Sequence, residues 1–510
     1  MWWTHPSRED IDNWGALGNA NWSWDEVQPY LKKSESYVPP ALAEAIEDMQ
    51  TQYVEPDLHG TDGPIKNSFP TSYGPFTEAW AETFERIGLY PPGDPRGGEA
   101  LGGYTNLFNI DPQTRERSYP ATEYHLRAAD RPNLKVVTGA FVTKILLEDS
   151  EADGTATSPR AVGVEYVKDN ATNMAQASAE VILSAGSMQS SKLLELSGVG
   201  DCDLVSTFGI ECLVNNTNVG ENFQNHLMLP LGWAVVPGVT TTDDFSSTEA
   251  FDAALAEYTS SRSGPFSTVN GSSALLSFEQ IGGSYDEIDP TPAQPGYEAQ
   301  HQLLLDGLNS SQNSAVQEIW ISGGISPWYY NDSSKVFAGP GDGGNYFSII
   351  SLVSHPFSRG SVHIQSADPA VQARLDPQYL SHPMDRQLER QLALHMRDVV
   401  QNPPLSGLLE GNGTVYQPGY LDDGVLGEDN VDAFVADKLL IAYHHSGNNA
   451  MLPRDNGGVV DHRLRVYGVE GLRVVDASVF PMLPQGTITS IVLAVAERAA
   501  DFVKEEHSRE

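Results

Sequence analysis

Residues 179–186 read AEVILSAG and residues 190–200 read SSKLLELSGVG. The first stretch runs apolar and ends on Ala185-Gly186, the pattern of a strand buried on both faces. The second spaces its leucines as a helix does. Small residues between a strand and a helix let a ligand's phosphates or ring approach the backbone. A buried strand that feeds a helix through such a turn is the unit of a nucleotide-binding α/β layer. The pattern returns near the C-terminus. Leu472-Arg473-Val474-Val475-Asp476 predicts a short strand ending in an acid, Asp476-Ala477-Ser478 a second small-residue turn, and ITSIVLAVAERAADFVKEE (488–506) a helix.

Outward from these anchors, LKVVTG (134–139), FVTKILLE (141–148) and AVGVEYV (161–167) predict strands, being β-branched, apolar and bounded by turns. Ser7-Arg8-Glu9-Asp10 and Ser23-Trp24-Asp25-Glu26 predict helix starts. Further helices are expected in ALAEAIEDMQ (41–50), PFTEAWAETFERIGL (75–89) and HPMDRQLERQLALHMRDVV (382–400), and a strand in SRGSVHIQS (358–366). The Gly- and Pro-dense stretch from Pro91 to Gly103 reads as a loop. Residues 227–350, rich in Ser, Gly and Asp, read as a less regular second domain, part sheet and part loop.

Composition excludes several classes. With 510 residues and 40% hydrophobic content the chain has material for a large core, in two or three domains. Thirty basic residues stand against 68 acidic ones, a net charge of −38, and no polybasic run offsets it. Nucleic acids and anionic membrane surfaces are therefore not expected partners, because they require clustered Lys and Arg. No apolar run approaches the ~18–20 residues of a membrane span. Cys202 and Cys212 can form no disulfide framework and no thiolate zinc site; they either pair once or stand as two buried thiols. Neither a GxxxxGK[ST] nor a GxSxG motif occurs. The start, MWWTHPSRED, is no signal peptide. Sequons at Asn21, Asn170, Asn215, Asn270, Asn309, Asn331 and Asn412, together with the acidic charge, favour a secreted glycoprotein.

The chemistry-bearing candidates are few. No GxGxxG stands where a strand pattern passes into a helix pattern, and Gly198-Val199-Gly200 reads as a helix C-cap. His444-His445 lie in AYHHSGNNAM, a loop of small and polar residues. Adjacent histidines rarely chelate one ion and no carboxylate stands at helical spacing, so no metal site is expected. His226 and His355 have no sequence neighbour at ligand spacing and read as structural or surface residues.

Five blocks taken together resemble the glucose–methanol–choline (GMC) oxidoreductases, in wording nearest to fungal members. They are WTHPSREDIDNWGALGNANWSWDEVQPYLKKSE (3–35), RPNLKVVTGAFVTKILLE (131–148), GSMQSSKLLELSGVG (186–200), NVGENFQNH (218–226) and GGVVDHRLRVYGVEGLRVVDASVFP (457–481). Their order is that of the family, and they span nearly the whole chain. Ser191 stands where proline is usual and Asn225 where aspartate is common. Met1 falls where the family has the Met of an Asn-Gly-Met stretch, so the family's opening strand, GxGxxG turn and helix are expected to be encoded upstream of it.

The resemblance implies an α/β fold with a discontinuous FAD-binding Rossmann-like domain over 1–40, 101–226 and 441–510, lacking its first βαβ unit. It implies a substrate domain, mostly antiparallel sheet with helices, over 41–100 and 227–440. The implied cofactor is FAD, held by the Val142 backbone, Ala185-Gly186, Asp476-Ala477 and the Thr487-Ile488 backbone. The implied reaction oxidises an alcohol by hydride transfer to the flavin, with oxygen or a quinone-type compound as acceptor. His444 matches the family's Tyr-His-x-x-Gly context and is the implied base. Thr487 stands where the family has its second catalytic residue, His or Asn. A hydroxynitrile-lyase-like flavoprotein and a truncated non-catalytic homologue are the alternative readings.

Overall fold

Ser7 and Ser23 each open a helix, and each closes a capping box, with Asp10 and Glu26 respectively. The helices Arg8–Ala16 and Trp24–Lys33 turn Ile11, Trp14, Val27 and Leu31 inward. Trp14 packs on Trp22 and Phe480, and its Nε1–H donates to the Met482 carbonyl at 3.0 Å. The first and last parts of the chain thus share one core. The computed structural model describes all residues except 1, 41–45, 48, 71–72, 149–157, 268–270, 422–423 and 509–510. Much of the helix expected at 41–50, and the Asn270 sequon, lie outside the described residues.

The α/β layer is built from the two anchor stretches. Val181–Leu183 pairs in parallel with Leu472–Val474, and the Val475 N–H extends the ladder to the Leu183 carbonyl at 2.7 Å. The helices Ser187–Leu196 and Thr489–His507 follow the two strands. An antiparallel meander, Phe141–Glu148, Arg160–Lys168 and Ala171–Gln176, stands beside the layer. Two expectations are corrected here. LKVVTG forms no strand, and Leu134, Val136 and Val137 are exposed. AEVILSAG is a strand only over Val181–Leu183, and Ile182 is 45% exposed rather than buried. The two departures share one cause: among the described residues no strand pairs with 134–139, and a parallel strand persists only with neighbours on its ladder and cover on its faces.

The larger sheet has six strands, all antiparallel, in the order Leu440–Ile441, Leu227–Ala234, Tyr346–Val353, Val316–Ile321, Ser272–Leu276, Gly102–Thr105. The Ser-rich composition of 227–350 hides these strands, because the buried Ser272, Ser273, Ser348 and Ser351 interrupt the apolar pattern that marks a strand. Ser348 donates to the Gly323 carbonyl at 2.8 Å, and Gln317 donates to the Ser273 hydroxyl at 3.1 Å. The edge strand Gly102–Thr105 comes from a segment assigned above to the other domain and to a loop. Gly103 permits this, since a Cβ there would meet the Phe84 ring at 2.3 Å. One face of the sheet, with Leu229, Leu231, Trp233, Phe347 and Ile349, is covered by the helices Pro75–Arg86 and Pro383–Val399. The opposite face carries Met228, Ile319, Ile350 and Leu352, with Trp2 and Ala442 packed against it. The fold is thus an α/β layer joined to a mostly antiparallel sheet domain.

Trp14 is the side chain that binds the N-terminal helices to the C-terminal block. Trp14→Ala is expected to lower stability by about 3–5 kcal/mol, as large buried aromatic truncations do, read from denaturant unfolding.

Candidate active site

The loop that holds His444 is positioned by an antiparallel run against residues 224–228. Leu227 and Met228 pair with Ile441 and Leu440, the Ala442 N–H donates to the His226 carbonyl at 3.0 Å, and Gln224 and Ser446 exchange both backbone bonds. Between these fixed points Asn225 alone faces Tyr443, His444 and His445. The surplus is absorbed at Tyr443, which takes φ +61°, a left-handed conformation that non-glycine residues rarely adopt. Asn225 holds the bulge: its Oδ1 accepts from the His444 N–H at 2.8 Å, while its Nδ2 donates to the Tyr379 hydroxyl at 2.9 Å. An aspartate could accept the first bond but not donate the second. Gly447 ends the loop at φ +90°, where a Cβ would stand 2.5 Å from the Asn222 carbonyl.

This geometry turns two imidazoles toward each other. His226 Nδ1 and His444 Nδ1 are 2.8 Å apart, the rings meeting edge to face at 83°. His226 is buried, and its Nε2 lies 2.8 Å from the Ser354 carbonyl. His444 is half-buried; burial, helped by the neighbouring His445, lowers its pKa to about 4. Burial, and then His444, hold His226 well below the ordinary histidine value. Both rings are therefore neutral at neutral pH. His445 points elsewhere and stacks on Phe223 at 5.6 Å. Tyr443 projects outward beside the pair, 55% exposed.

The two small-residue turns meet at this loop. Asp476 Oδ2 accepts from the Gly186 N–H at 2.9 Å and from the Ser190 hydroxyl at 2.6 Å, and its Oδ1 accepts from the Ser478 N–H and hydroxyl. Ser187 donates to the His445 carbonyl at 2.6 Å, and the Gly447 N–H to the Ala477 carbonyl at 3.2 Å. Val142 sits half-buried on the first strand of the meander. Thr487 is tied to the N-terminal segment: its N–H donates to Thr4 Oγ1 at 2.7 Å and its hydroxyl to the Trp2 carbonyl at 3.0 Å. The Thr487 hydroxyl also lies 2.9 Å from Thr4 Oγ1, so it is engaged on both sides within the protein.

The chain is similar to known proteins over nearly its whole length. Sequence profiles described as GMC oxidoreductase match residues 1–228 and 356–496. A dehydrogenase of Monascus purpureus is 35% identical over 99% of this chain and 82% of its own length. A GMC oxidoreductase family protein of Malassezia sympodialis is 30% identical over 99% of this chain and 77% of that protein. The structure of an FAD-dependent oxidoreductase from Chaetomium thermophilum superposes with a TM-score of 0.86 at 27% identity, covering 100% of this chain and 85% of that one. The chain belongs to the GMC oxidoreductase family. Its cofactor is FAD.

The residues of this GMC oxidoreductase fit the flavin nucleotide. Gly186 has φ +79° and no heavy atom within 4 Å of where a Cβ would stand, so a ligand can reach the backbone there. Ala185 beside it is exposed. The helix Thr489–His507 begins without a side-chain cap, leaving its first-turn amides to a ligand's oxygens. Trp2 Nε1, Ser446 Oγ and Gln485 Nε2 are buried polar atoms without a partner among the described residues. Sequence reasoning missed His226 and Ser354. The block NVGENFQNH carries His226, yet nothing in the chain's order pairs it with a residue so distant.

His363 anchors the helix that starts at the Gly186 turn. It bridges Glu195 of that helix at 2.7 Å and Glu221 at 3.0 Å. Burial alone would lower its pKa, but the two carboxylates outweigh it and raise it from 6.5 to about 9. A raised folded-state pKa gives stability that is fully present below pH 6.5 and lost as pH rises through about 9. The melting temperature is expected to fall across that window, and His363→Gln is expected to flatten the fall.

Proposed function

We propose that this flavoprotein oxidises a primary or secondary alcohol to an aldehyde or ketone, with His444 as the base. The observation that carries the reading is the neutral, half-buried His444 ring, one nitrogen of which is occupied by His226 while no described residue bonds the other. FAD, when bound, supplies the acceptor for the hydride that leaves the carbinol carbon. Everything else falls to the chain. His444 Nε2 takes the hydroxyl proton, a task suited to a neutral imidazole. The backbone at Val142, the Ala185-Gly186 and Asp476-Ala477 turns, and Thr487-Ile488 with the first-turn amides behind it hold the cofactor. Thr487 acts through its bonds to Thr4 and Trp2, fixing the N-terminal segment against the start of the last helix. Residues 1–40, 101–226 and 441–510 carry the FAD side of the site, and 41–100 and 227–440 the substrate side, apart from the shared strand Gly102–Thr105.

The exposed Tyr443 ring beside His444 favours a bulky activated alcohol, benzylic or polyketide-derived, over methanol or glucose. Oxygen or a quinone-type compound takes the electrons on. Asn21, Asn170, Asn215, Asn309, Asn331 and Asn412 are all exposed, and Cys202 and Cys212 form a disulfide. Both features suit a glycosylated protein of an oxidising compartment.

His444→Ala is expected to slow oxidation of a benzylic alcohol by about 10²–10⁴-fold at unchanged flavin content, and His445→Ala far less. Equal losses in the two variants would remove His444 from the role. Because His444 titrates at about 4, kcat/KM is expected to be flat through neutral pH and to fall only as pH drops through that value.

A further inference from the structure

We propose that His226 is a positioning residue that sets the tautomer of His444, keeping the proton on Nδ1 of His444 and leaving its Nε2 bare. The use of that bare nitrogen as a base rests on the reaction proposed above; the tautomer itself does not.

The assignment follows from counting protons along one line of hydrogen bonds. The Ser354 carbonyl can only accept, so His226, whose Nε2 lies 2.8 Å from it, carries its proton on Nε2. A neutral imidazole has one such proton, so His226 Nδ1 is an acceptor. His444 Nδ1 stands 2.8 Å from that acceptor, a separation that needs one proton between the two nitrogens. Only His444 can supply it. Its Nε2 then keeps the lone pair and points away from His226.

The surroundings hold this arrangement in place. Ser354 follows the strand Tyr346–Val353 and is tied to Ala315 by its N–H at 2.9 Å and to the Ser314 hydroxyl at 2.9 Å. Ser314 in turn donates to Gln485 Oε1 at 2.6 Å. The His226 backbone is fixed by the Ala442 N–H, one step from the His444 loop. Among the described side chains, those whose charge acts on the pair are His355 and His445, and His355 is engaged by Asp10 at 2.5 Å. When Nε2 takes a proton, the Nδ1–H bond to His226 remains, so no second proton has to move. A neutral neighbour also differs from a carboxylate in effect. It orients the ring without raising its basicity, in keeping with a base that stays unprotonated until the medium is quite acidic.

The test reads ring nitrogens directly. Protein with ¹⁵N-labelled histidine is examined by long-range nitrogen–proton correlation at neutral pH, with His444→Gln and His226→Gln used to assign the two rings by difference. The expected spectrum has a protonated Nδ1 and a bare Nε2 on His444, and the reverse on His226. A protonated Nε2 on His444 in the wild-type protein would overturn the proposal. His226→Asn, whose amide oxygen keeps an acceptor near the Nδ1 position, is expected to preserve the His444 tautomer. His226→Leu is expected to move the proton to Nε2, and an unchanged tautomer there would equally count against the role. Should His226→Leu fail to fold, the wild-type and His226→Asn spectra still decide. On a benzylic alcohol, His226→Leu is expected to lower kcat by up to about 10⁴-fold, the scale of a wrong tautomer at a catalytic histidine, with substantial rescue in His226→Asn. Correct tautomers without alcohol oxidation would discard the reaction and leave the present inference standing; alcohol oxidation with the wrong tautomer would do the reverse.

Discussion

The antiparallel run of residues 224–228 against residues 440–446 is the constraint on which the site depends. Its ladder is fixed at both ends, by Leu227 and Met228 on one side and by the reciprocal Gln224–Ser446 bonds on the other. One residue then has to face three, and the bulge that results can close only if Tyr443 enters the left-handed region. That conformation costs on the order of 1–3 kcal/mol and persists only where neighbours over-determine it. Asn225 and Gly447 are those neighbours. Without the bulge His444 would follow the strand's alternation and would not meet His226 edge to face.

The same loop joins the two halves of the molecule. On one side it continues the six-stranded sheet; on the other, Gly447, Asn449 and Met451 bond to Ala477, Ser478 and Val479. Asp476 then carries the connection to the Gly186 turn through a carboxylate that is saturated by protein donors. This bears on how the flavin nucleotide is held. The Asp476 side chain shapes both turns and leaves the backbone at Gly186 open. Thr487 is a parallel case, since its hydroxyl and amide fasten the start of the last helix to Thr4 and Trp2.

Much of this was legible in the chain. The capping boxes at Ser7 and Ser23, the strand Leu472–Val474, the long helix after Thr487 and the amphipathic helix after His382 all follow from local rules, because caps, turns and periodicity act within a few residues. The strand expected at LKVVTG does not form, because strand formation depends on a neighbour and not on propensity alone. The serine-rich sheet of 272–353 was hidden for the opposite reason: burial of a serine is set by partners across the ladder that no local pattern displays.

The sequence by itself determined the family, the cofactor and the candidate base, since those rest on ordered motifs and on small residues at particular turns. Tertiary structure alone decided what surrounds His444. The pairing with His226 joins residues 218 positions apart, and the Ser354 carbonyl that orients His226 lies 128 positions from it. A ring nitrogen's protonation depends on atoms within hydrogen-bond reach, and only the folded ladder brings those atoms there.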